Sequence, residues 1–264
     1  MMCMKNKKEL FVFDAEMALF LAVMSYKAYI VHELCTIELP SHYEMKHEII
    51  TDSGETFGFI AESEDFLVVA FRGTKTMDNV SSYLDVAQVP YTYVTDSGFT
   101  HRGITKIYST FRDALLADIK QLYSNQKKLL VTGHSLGGSL AALFTLDAAV
   151  NTNFHNPILY SFASLPIADE DFTKKFYEEV KNSIRVVNVH DAISNCMTPL
   201  FFKNKPLLNL PIGQEYQLNF KNRRYIQNHR ILCYIHFLRT QYPNEYKELY
   251  SKYPGFFPDT SHCE

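Results

Sequence analysis

Residues 128–138 read KLLVTGHSLGG, and this stretch decides the fold. Its first half contains the apolar run Leu129-Leu130-Val131, which is typical of a buried strand. A run rich in small residues follows from 136 to about 149 and predicts a closely packed helix. The pattern Gly133-x-Ser135-x-Gly137 joins the two, so we expect a tight strand–turn–helix elbow with a serine at its tip.

The segments on either side of the elbow continue this alternation of strands and helices. Helices are predicted at 15–30, 78–88, 104–123, 136–149 and 169–180 and from about His229, and strands at 48–50, 56–60, 66–71, 128–132, 157–163 and 184–189. This order predicts an α/β fold with a mainly parallel sheet flanked by helices. Because the chain has no repeat and no linker rich in Pro, Gly or Ser, residues 1–264 are expected to form a single domain.

Composition and charge exclude several classes of partner. The 264 residues are 47% hydrophobic and 21% charged, with a net charge of −3. The densest basic cluster is too small for a nucleic-acid groove, and we interpret it as a solvated face; it consists of Lys221, Arg223, Arg224 and Arg230. We therefore expect no nucleic-acid partner.

The cysteines and the N-terminus bear on location. The five cysteines are widely spaced, which predicts neither a zinc site nor a disulfide framework. Five unpaired thiols fit a reducing compartment, and Glu9, Asp14 and Glu16 interrupt what could otherwise imitate a signal peptide. No apolar run reaches the length of a transmembrane helix. The expectation is a cytoplasmic protein; the alternative is export without a cleavable signal.

The elbow carries a specific chemistry. A serine held in a strained turn presents its hydroxyl away from the sheet, while the helix N-terminus directs free N–H groups at a developing oxyanion. Glycines at 133 and 137 avoid collisions with the neighbouring strand and helix. The alternative is a glycine-rich helix start with an ordinary surface serine. The strand–turn–helix context favours the nucleophile.

Two further motifs extend the pattern. Residues 71–74 read FRGT at the end of an apolar strand, and residues 133–141 read GHSLGGSLA. With the turn FASLP at 162–166, they resemble the class 3 lipases, the fungal-lipase-like group of the α/β-hydrolase superfamily. The resemblance implies a lid-like segment after FRGT and an oxyanion hole formed by the backbone N–H groups of Thr74 and Leu136. It implies no cofactor and no metal.

The acid and base are chosen by chain order, which in this fold runs serine, acid, histidine. Asp191 directly follows the strand 184–189 and matches the family pattern there, whereas Asp169 and Asp171 open a helix and are typical of N-cap residues. Among the later histidines, His229 resembles the family's catalytic position. His236 lies within an apolar helix and His262 in the tail. The predicted catalytic set is Ser135, Asp191 and His229.

The function that these residues imply is hydrolysis of carboxyl esters, by a triacylglycerol lipase or carboxylesterase acting on acylglycerols or other lipid esters. The first alternative is a phospholipase or lysophospholipase with the same triad, which could be a bacterial effector. A catalytically inactive lipid-binding protein is a further alternative. The expected partner is a lipid ester, with transient contact to a lipid surface; the sequence does not indicate an oligomeric state.

Two apolar segments could border the substrate. One is a helical stripe that either packs on the core or forms a lid: Met77, Val80, Tyr83, Leu84 and Ala87. The other lies at 199–212, between acid and base, and either fills the core or forms a wall of an apolar pocket.

Overall fold

The computed structural model describes residues 11–34, 37–74, 85–195, 200–202, 205–207 and 210–263. The helices are α1 Ala15–Leu34, α2 Arg102–Ser109, α3 Arg112–Gln121, α4 Leu136–Asn151, α5 Glu170–Glu179, α6 Ile231–Gln241 and α7 Pro243–Lys252. The strands are β1 Glu44–Ile50, β2 Thr56–Glu62, β3 Phe66–Phe71, β4 Gln88–Pro90, β5 Phe99–His101, β6 Lys128–His134, β7 Ile158–Phe162, β8 Asn182–Asn188, β9 Leu200–Phe202, β10 Lys205–Leu207 and β11 Gln214–Leu218. Short 3-10 helices span Tyr225–Asn228 and Ser261–Cys263.

A seven-stranded sheet in the order β1-β2-β3-β6-β7-β8-β11 forms the centre of the molecule. In this sheet, neighbouring strands among β3, β6, β7, β8 and β11 are parallel. Strand β2 is antiparallel to both of its neighbours, β1 and β3. The predicted α/β-hydrolase architecture, with a mainly parallel sheet, is thus confirmed. Because β6, β8 and β11 are parallel, their carboxyl ends share one edge of the sheet, which we call the carboxyl edge.

Both faces of the sheet are covered by helices. In β3, Leu67, Val69 and Phe71 face one apolar cluster, and Val68 and Ala70 face the other, as the two-residue period of a strand requires. Helices α2 to α5 pack in the first cluster, and α1, α6 and α7 pack in the second. This double burial explains why the central strands read as continuous apolar runs.

Several predicted elements differ from the structure. The helix predicted at 104–123 is two helices, because the chain breaks at Thr110 and Phe111 and buries Phe111 against the rings of Phe57 and Phe71. Within the helix predicted at 78–88, residues 78–84 lie outside the described residues, and Gln88 begins a strand. The helix expected from His229 begins at Ile231 and is followed by α7.

The expectation of unpaired cysteines is wrong for two of the five. Cys233 of α6 and Cys263 form a disulfide, with Cα atoms 5.2 Å apart, within the usual range for such bonds. Their separation of 30 residues gives no spacing signal in the sequence. Cys3, Cys35 and Cys196 lie outside the described residues. Because two of the thiols are paired, the cysteines no longer favour a reducing compartment.

The apolar segments predicted to border the substrate are only partly described. Residues 77–84 of the stripe lie outside the described residues, and Ala87 is in a loop before β4. In the segment 199–212, β9 and β10 form a two-stranded antiparallel ribbon. Within the described part of the chain, no helix is long and apolar enough to cross a membrane.

Candidate active site

The elbow places Ser135 between β6 and α4 at the carboxyl edge. Its backbone has φ 58° and ψ −126°, a conformation that non-glycine residues rarely adopt and that costs about 1–3 kcal/mol. A Cβ at Gly133 would lie 2.2 Å from the carbonyl oxygen of Gly137, and one at Gly137 would lie 2.5 Å from that of Phe71. Both positions therefore require glycine, because any side chain would collide with the neighbouring backbone, as the sequence pattern predicts.

The structure brings the three residues predicted as catalytic into one hydrogen-bonded chain. His229 Nε2 lies 2.8 Å from Ser135 Oγ, and His229 Nδ1 lies 2.7 Å from Asp191 Oδ2. An ionised carboxylate only accepts hydrogen bonds, so Nδ1 carries the proton and Nε2 is left to accept from the serine hydroxyl. All three residues are buried, with at most 8% of their surface exposed.

Hydrogen-bond donors surround both oxygens of Asp191 and stabilise its ionised form. Its Oδ1 accepts from the backbone N–H groups of Ile193 and Ser194, and its Oδ2 also accepts from the Tyr234 hydroxyl at 3.1 Å. Burial alone would raise the pKa of Asp191. The hydrogen bonds and charge of His229, together with the bonds from Ser194, outweigh that effect and lower the pKa below its usual value.

The turn that carries His229 is tied to the strand that precedes Asp191. His229 follows the 3-10 helix Tyr225–Asn228, and the backbone carbonyl of Asn228 accepts from the side chain of Asn188, the last residue of β8. The Tyr234 hydroxyl also accepts the backbone N–H of Asn188 at 2.9 Å. The acid and the base therefore share one buried framework.

The two predicted oxyanion donors flank the serine. Leu136 is the first residue of α4, and the first N–H groups of a helix lack partners within it. On the other side, a Cβ at Gly73 would lie 3.1 Å from Ser135 Cβ, so the end of the FRGT motif lies against the nucleophile. Thr74 is the next residue along the chain and is half-buried.

Arg72 is a residue of this site that the sequence analysis did not identify. Its guanidinium donates to the carbonyl oxygens of Gly73 and Thr56, at 2.8 and 2.7 Å, and to Glu55 Oε1 at 2.6 Å. It also stacks 4.6 Å from the centre of the Phe57 ring. In a trans peptide the C=O and N–H point in opposite directions. By fixing the Gly73 carbonyl, Arg72 therefore sets the direction of the Thr74 N–H.

His134, inside the elbow, has a structural position next to the triad. Its Nε2 donates to the backbone carbonyl of His229 at 2.6 Å, so Nδ1 is unprotonated and accepts from the Tyr29 hydroxyl at 2.7 Å. Burial, followed by the proximity of His229, lowers the pKa of His134 to about 3. The ring is therefore neutral at physiological pH and links α1 to the His229 turn.

The rival candidates lie elsewhere. Asp169 is the N-cap of α5, as predicted, and accepts from the backbone N–H of Phe172; Asp171 is an exposed residue of the same helix. His236 lies on α6 near Thr260, and His262 is exposed near the C-terminus. Among the residues that the structure describes, no group of three or more His, Cys, Asp or Glu could hold a metal ion.

The fold and the geometry at its carboxyl edge are those of an α/β-hydrolase with a serine elbow. More particularly, the chain belongs to the class 3 lipase family, whose model matches residues 68–201. This confirms the resemblance found in the sequence.

Known relatives and solved structures agree with this assignment. Phospholipase A1-II 3 of Oryza sativa subsp. japonica is 26% identical over 207 residues, which cover 64% of this chain and 48% of the relative. Secreted mono- and diacylglycerol lipase 2 of Gibberella zeae is 30% identical over 151 residues, covering 49% and 35%. The Rhizomucor miehei lipase propeptide complex superposes with a TM-score of 0.63 at 20% identity, covering 76% of this chain and 67% of that one. The chain thus spans about half the length of these curated relatives, or less.

Proposed function

We propose that this chain is a serine carboxyl-ester hydrolase of lipid substrates, acting as one domain over residues 1–264 through Ser135, His229 and Asp191. The family is one of lipid ester hydrolases. The observation that carries the proposal is the unbroken hydrogen-bonded chain from Ser135 Oγ through His229 to Asp191. Nucleophile, base and orienting carboxylate are the parts that acyl transfer requires.

The first half of the reaction forms an acyl-enzyme. His229 Nε2 takes the proton of Ser135 as Oγ attacks the ester carbonyl, and Asp191 stabilises the imidazolium that results. The negative charge that develops on the carbonyl oxygen is stabilised by the N–H groups of Thr74 and Leu136. His229 then donates its proton to the leaving alcohol as the C–O bond breaks, which leaves the acyl group on Ser135.

The second half returns the enzyme to its starting state. A water molecule gives a proton to His229 Nε2 and attacks the acyl carbon through the same oxyanion intermediate. Collapse of this intermediate breaks the bond to Ser135 Oγ, which recovers its proton from His229. The products are a carboxylic acid and an alcohol, and no cofactor takes part in this scheme.

Acylglycerols are the substrate class that we propose first, and phospholipids are a specific second candidate. The Gibberella zeae relative is a mono- and diacylglycerol lipase by name, whereas several rice relatives are named phospholipase A1. All these substrates share the carboxyl ester that the triad would attack. They differ in the group attached to the glycerol.

Hydrolysis of a p-nitrophenyl ester tests the chemistry. Ser135→Ala should lower turnover by about 10⁴- to 10⁶-fold, since it removes the nucleophile. Ser139→Ala is the matched control, because Ser139 is a buried serine one turn further along α4 whose hydroxyl hydrogen-bonds to the backbone of Leu165. Equal turnover by wild type and Ser135→Ala would contradict the proposal. Parallel assays on triglyceride emulsion and phospholipid vesicles then decide between the two substrate classes.

A further inference from the structure

The segment that leads from β11 to His229 lies at the same edge of the sheet as the triad. β11 pairs in parallel with β8, so residues 219–230 leave the sheet at the same carboxyl edge that holds Ser135. We call residues 221–230 the basic segment. The sheet topology thus places the start of this segment at the same edge as the triad.

The basic segment concentrates positive charge on an otherwise acidic chain. It contains four exposed cations and no carboxylate: Lys221, Arg223, Arg224 and Arg230. From Tyr216 to Asn244 the sequence has no Asp or Glu, although the whole chain has a net charge of −3. None of the four cations lies within ion-pair distance of a carboxylate in the described part of the chain. Their charge is therefore available to a partner.

The same segment exposes apolar side chains among its cations. Tyr225 is 61% exposed and Ile226 is 39% exposed, in the 3-10 helix between Arg224 and His229. Val189, 42% exposed, follows β8 at the same edge and donates its backbone N–H to Leu218. A solvated face would gain nothing from these side chains, whereas the headgroup region of a bilayer accommodates both cations and amphipathic rings.

Hydrogen bonds and ring packing fix the backbone of the basic segment and of the residues just before it. The backbone N–H of Asn222 donates to the side chain of Asn228 at 2.8 Å, and that of Phe220 donates to Asn188 at 3.2 Å. The Phe220 ring packs edge-on against Tyr234, which also contacts Asp191. The backbone that carries the cations is thus tied to Asn188 and Tyr234, which also contact the triad or its turn.

We infer that the basic segment binds the surface of a lipid bilayer or particle that contains anionic phospholipids, with Tyr225 and Ile226 inserted among the headgroups. Arg and Lys near such a surface are attracted by its negative potential, and the apolar pair adds area buried from water. The orientation turns the carboxyl edge, and so Ser135, toward the lipid. The inference gives the proposed hydrolase the surface at which it works, but binding itself does not require the triad.

Vesicle co-sedimentation of the Ser135→Ala protein tests the inference without hydrolysis of the vesicles. Binding should be much tighter to phosphatidylcholine vesicles with 30% phosphatidylglycerol than to phosphatidylcholine alone, and should weaken in 0.5 M NaCl. Adding Arg223→Gln/Arg224→Gln should lower the partition coefficient about thirtyfold, from the usual contribution of a basic residue near an anionic surface. Tyr225→Ser should also weaken binding to the vesicles. The difference in binding between this variant and its parent should persist at high salt.

The matched control removes two cations from outside the basic segment, one on α3 and one at the opposite end of β6 from Ser135. Lys120 and Lys128 are exposed; Lys128 begins β6, whereas Ser135 follows the other end of that strand. Lys120→Gln/Lys128→Gln changes the net charge by the same amount as Arg223→Gln/Arg224→Gln. It should bind within about twofold of its parent. Equal loss in both double variants, equal binding to both kinds of vesicle, or binding of a 20-base-pair DNA duplex in preference to vesicles would each overturn the inference. Because esterase activity of the wild type is measured separately, failure of the proposed chemistry and failure of this inference are distinguishable.

Discussion

Arg72→Lys is expected to slow the chemical step without abolishing substrate binding. The side chain of Arg72 is 2% exposed and makes three hydrogen bonds, of which the one to the Gly73 carbonyl sets the direction of the Thr74 N–H. Lysine keeps the charge but cannot reproduce the planar fork of donors, so the Gly73–Thr74 peptide is free to rotate.

The magnitude follows from what an oxyanion donor contributes. Removing one donor costs about 10²–10³ in turnover, and misdirecting it costs part of that, so kcat should fall about 10- to 100-fold while KM changes little. The assay is steady-state hydrolysis of a soluble p-nitrophenyl ester, together with the thermal midpoint Tm. An unchanged kcat with a lowered Tm would refute the role that we assign to Arg72.

Arg112→Lys is the matched control for this variant. Like Arg72, Arg112 donates several hydrogen bonds and stacks on an aromatic ring: two of its bonds go to the carboxylate of the buried Asp147, and its guanidinium lies over Tyr93. Asp147 lies near the far end of α4, about 18 Å along the helix axis from Ser135. This substitution should therefore lower Tm and leave kcat within about twofold of the wild type. A similar fall in kcat would show that Arg72→Lys reports general loosening of the fold.

Three further predictions concern stability. The pKa of Asp191 is lower in the folded chain than in the unfolded one, so its carboxylate stabilises the fold above about pH 4, and this contribution is lost as the pH falls further. The free energies of unfolding of wild type and Asp191→Asn, measured in urea, should therefore differ less at pH 2.5 than at pH 6. A constant difference would contradict this prediction. Tyr29→Phe removes the donor to the buried Nδ1 of His134 and should lower the free energy of unfolding by about 1–3 kcal/mol, and no loss would argue against that hydrogen bond. Cys263→Ser opens the disulfide to Cys233 and should cost about 3 kcal/mol; dithiothreitol should lower the Tm of the wild type but not of this variant.

Much of the site follows from the sequence because its signals are local. The elbow is a run of glycines around a serine between a strand and a helix; chain order narrows the acid and base, and the resemblance to the class 3 lipases then points to Asp191 and His229. The structure holds these three side chains together; Leu136 follows the serine, and Thr74 follows Gly73, which lies against the serine. Their catalytic roles remain predictions.

What the sequence does not provide are contacts between distant segments. Tyr29 and His134 are 105 residues apart, and nothing in either segment signals the other. The role of Arg72 was open to inference, because a charge directly after a buried strand needs partners, but the carbonyls that it binds could not be named. β11 has an alternating, half-exposed pattern as an edge strand, and its polar sequence gives only a weak strand signal.

Covalent labelling with a p-nitrophenyl alkylphosphonate tests the central claim most directly. The reagent reacts at phosphorus with an activated serine and releases p-nitrophenolate, and mass spectrometry of the digested protein identifies the modified residue. We predict release of about one equivalent, an adduct on Ser135, and labelling slower by at least about 10³-fold in His229→Ala. An adduct on another residue, or equal labelling rates in wild type and His229→Ala, would contradict the claim that His229 activates Ser135.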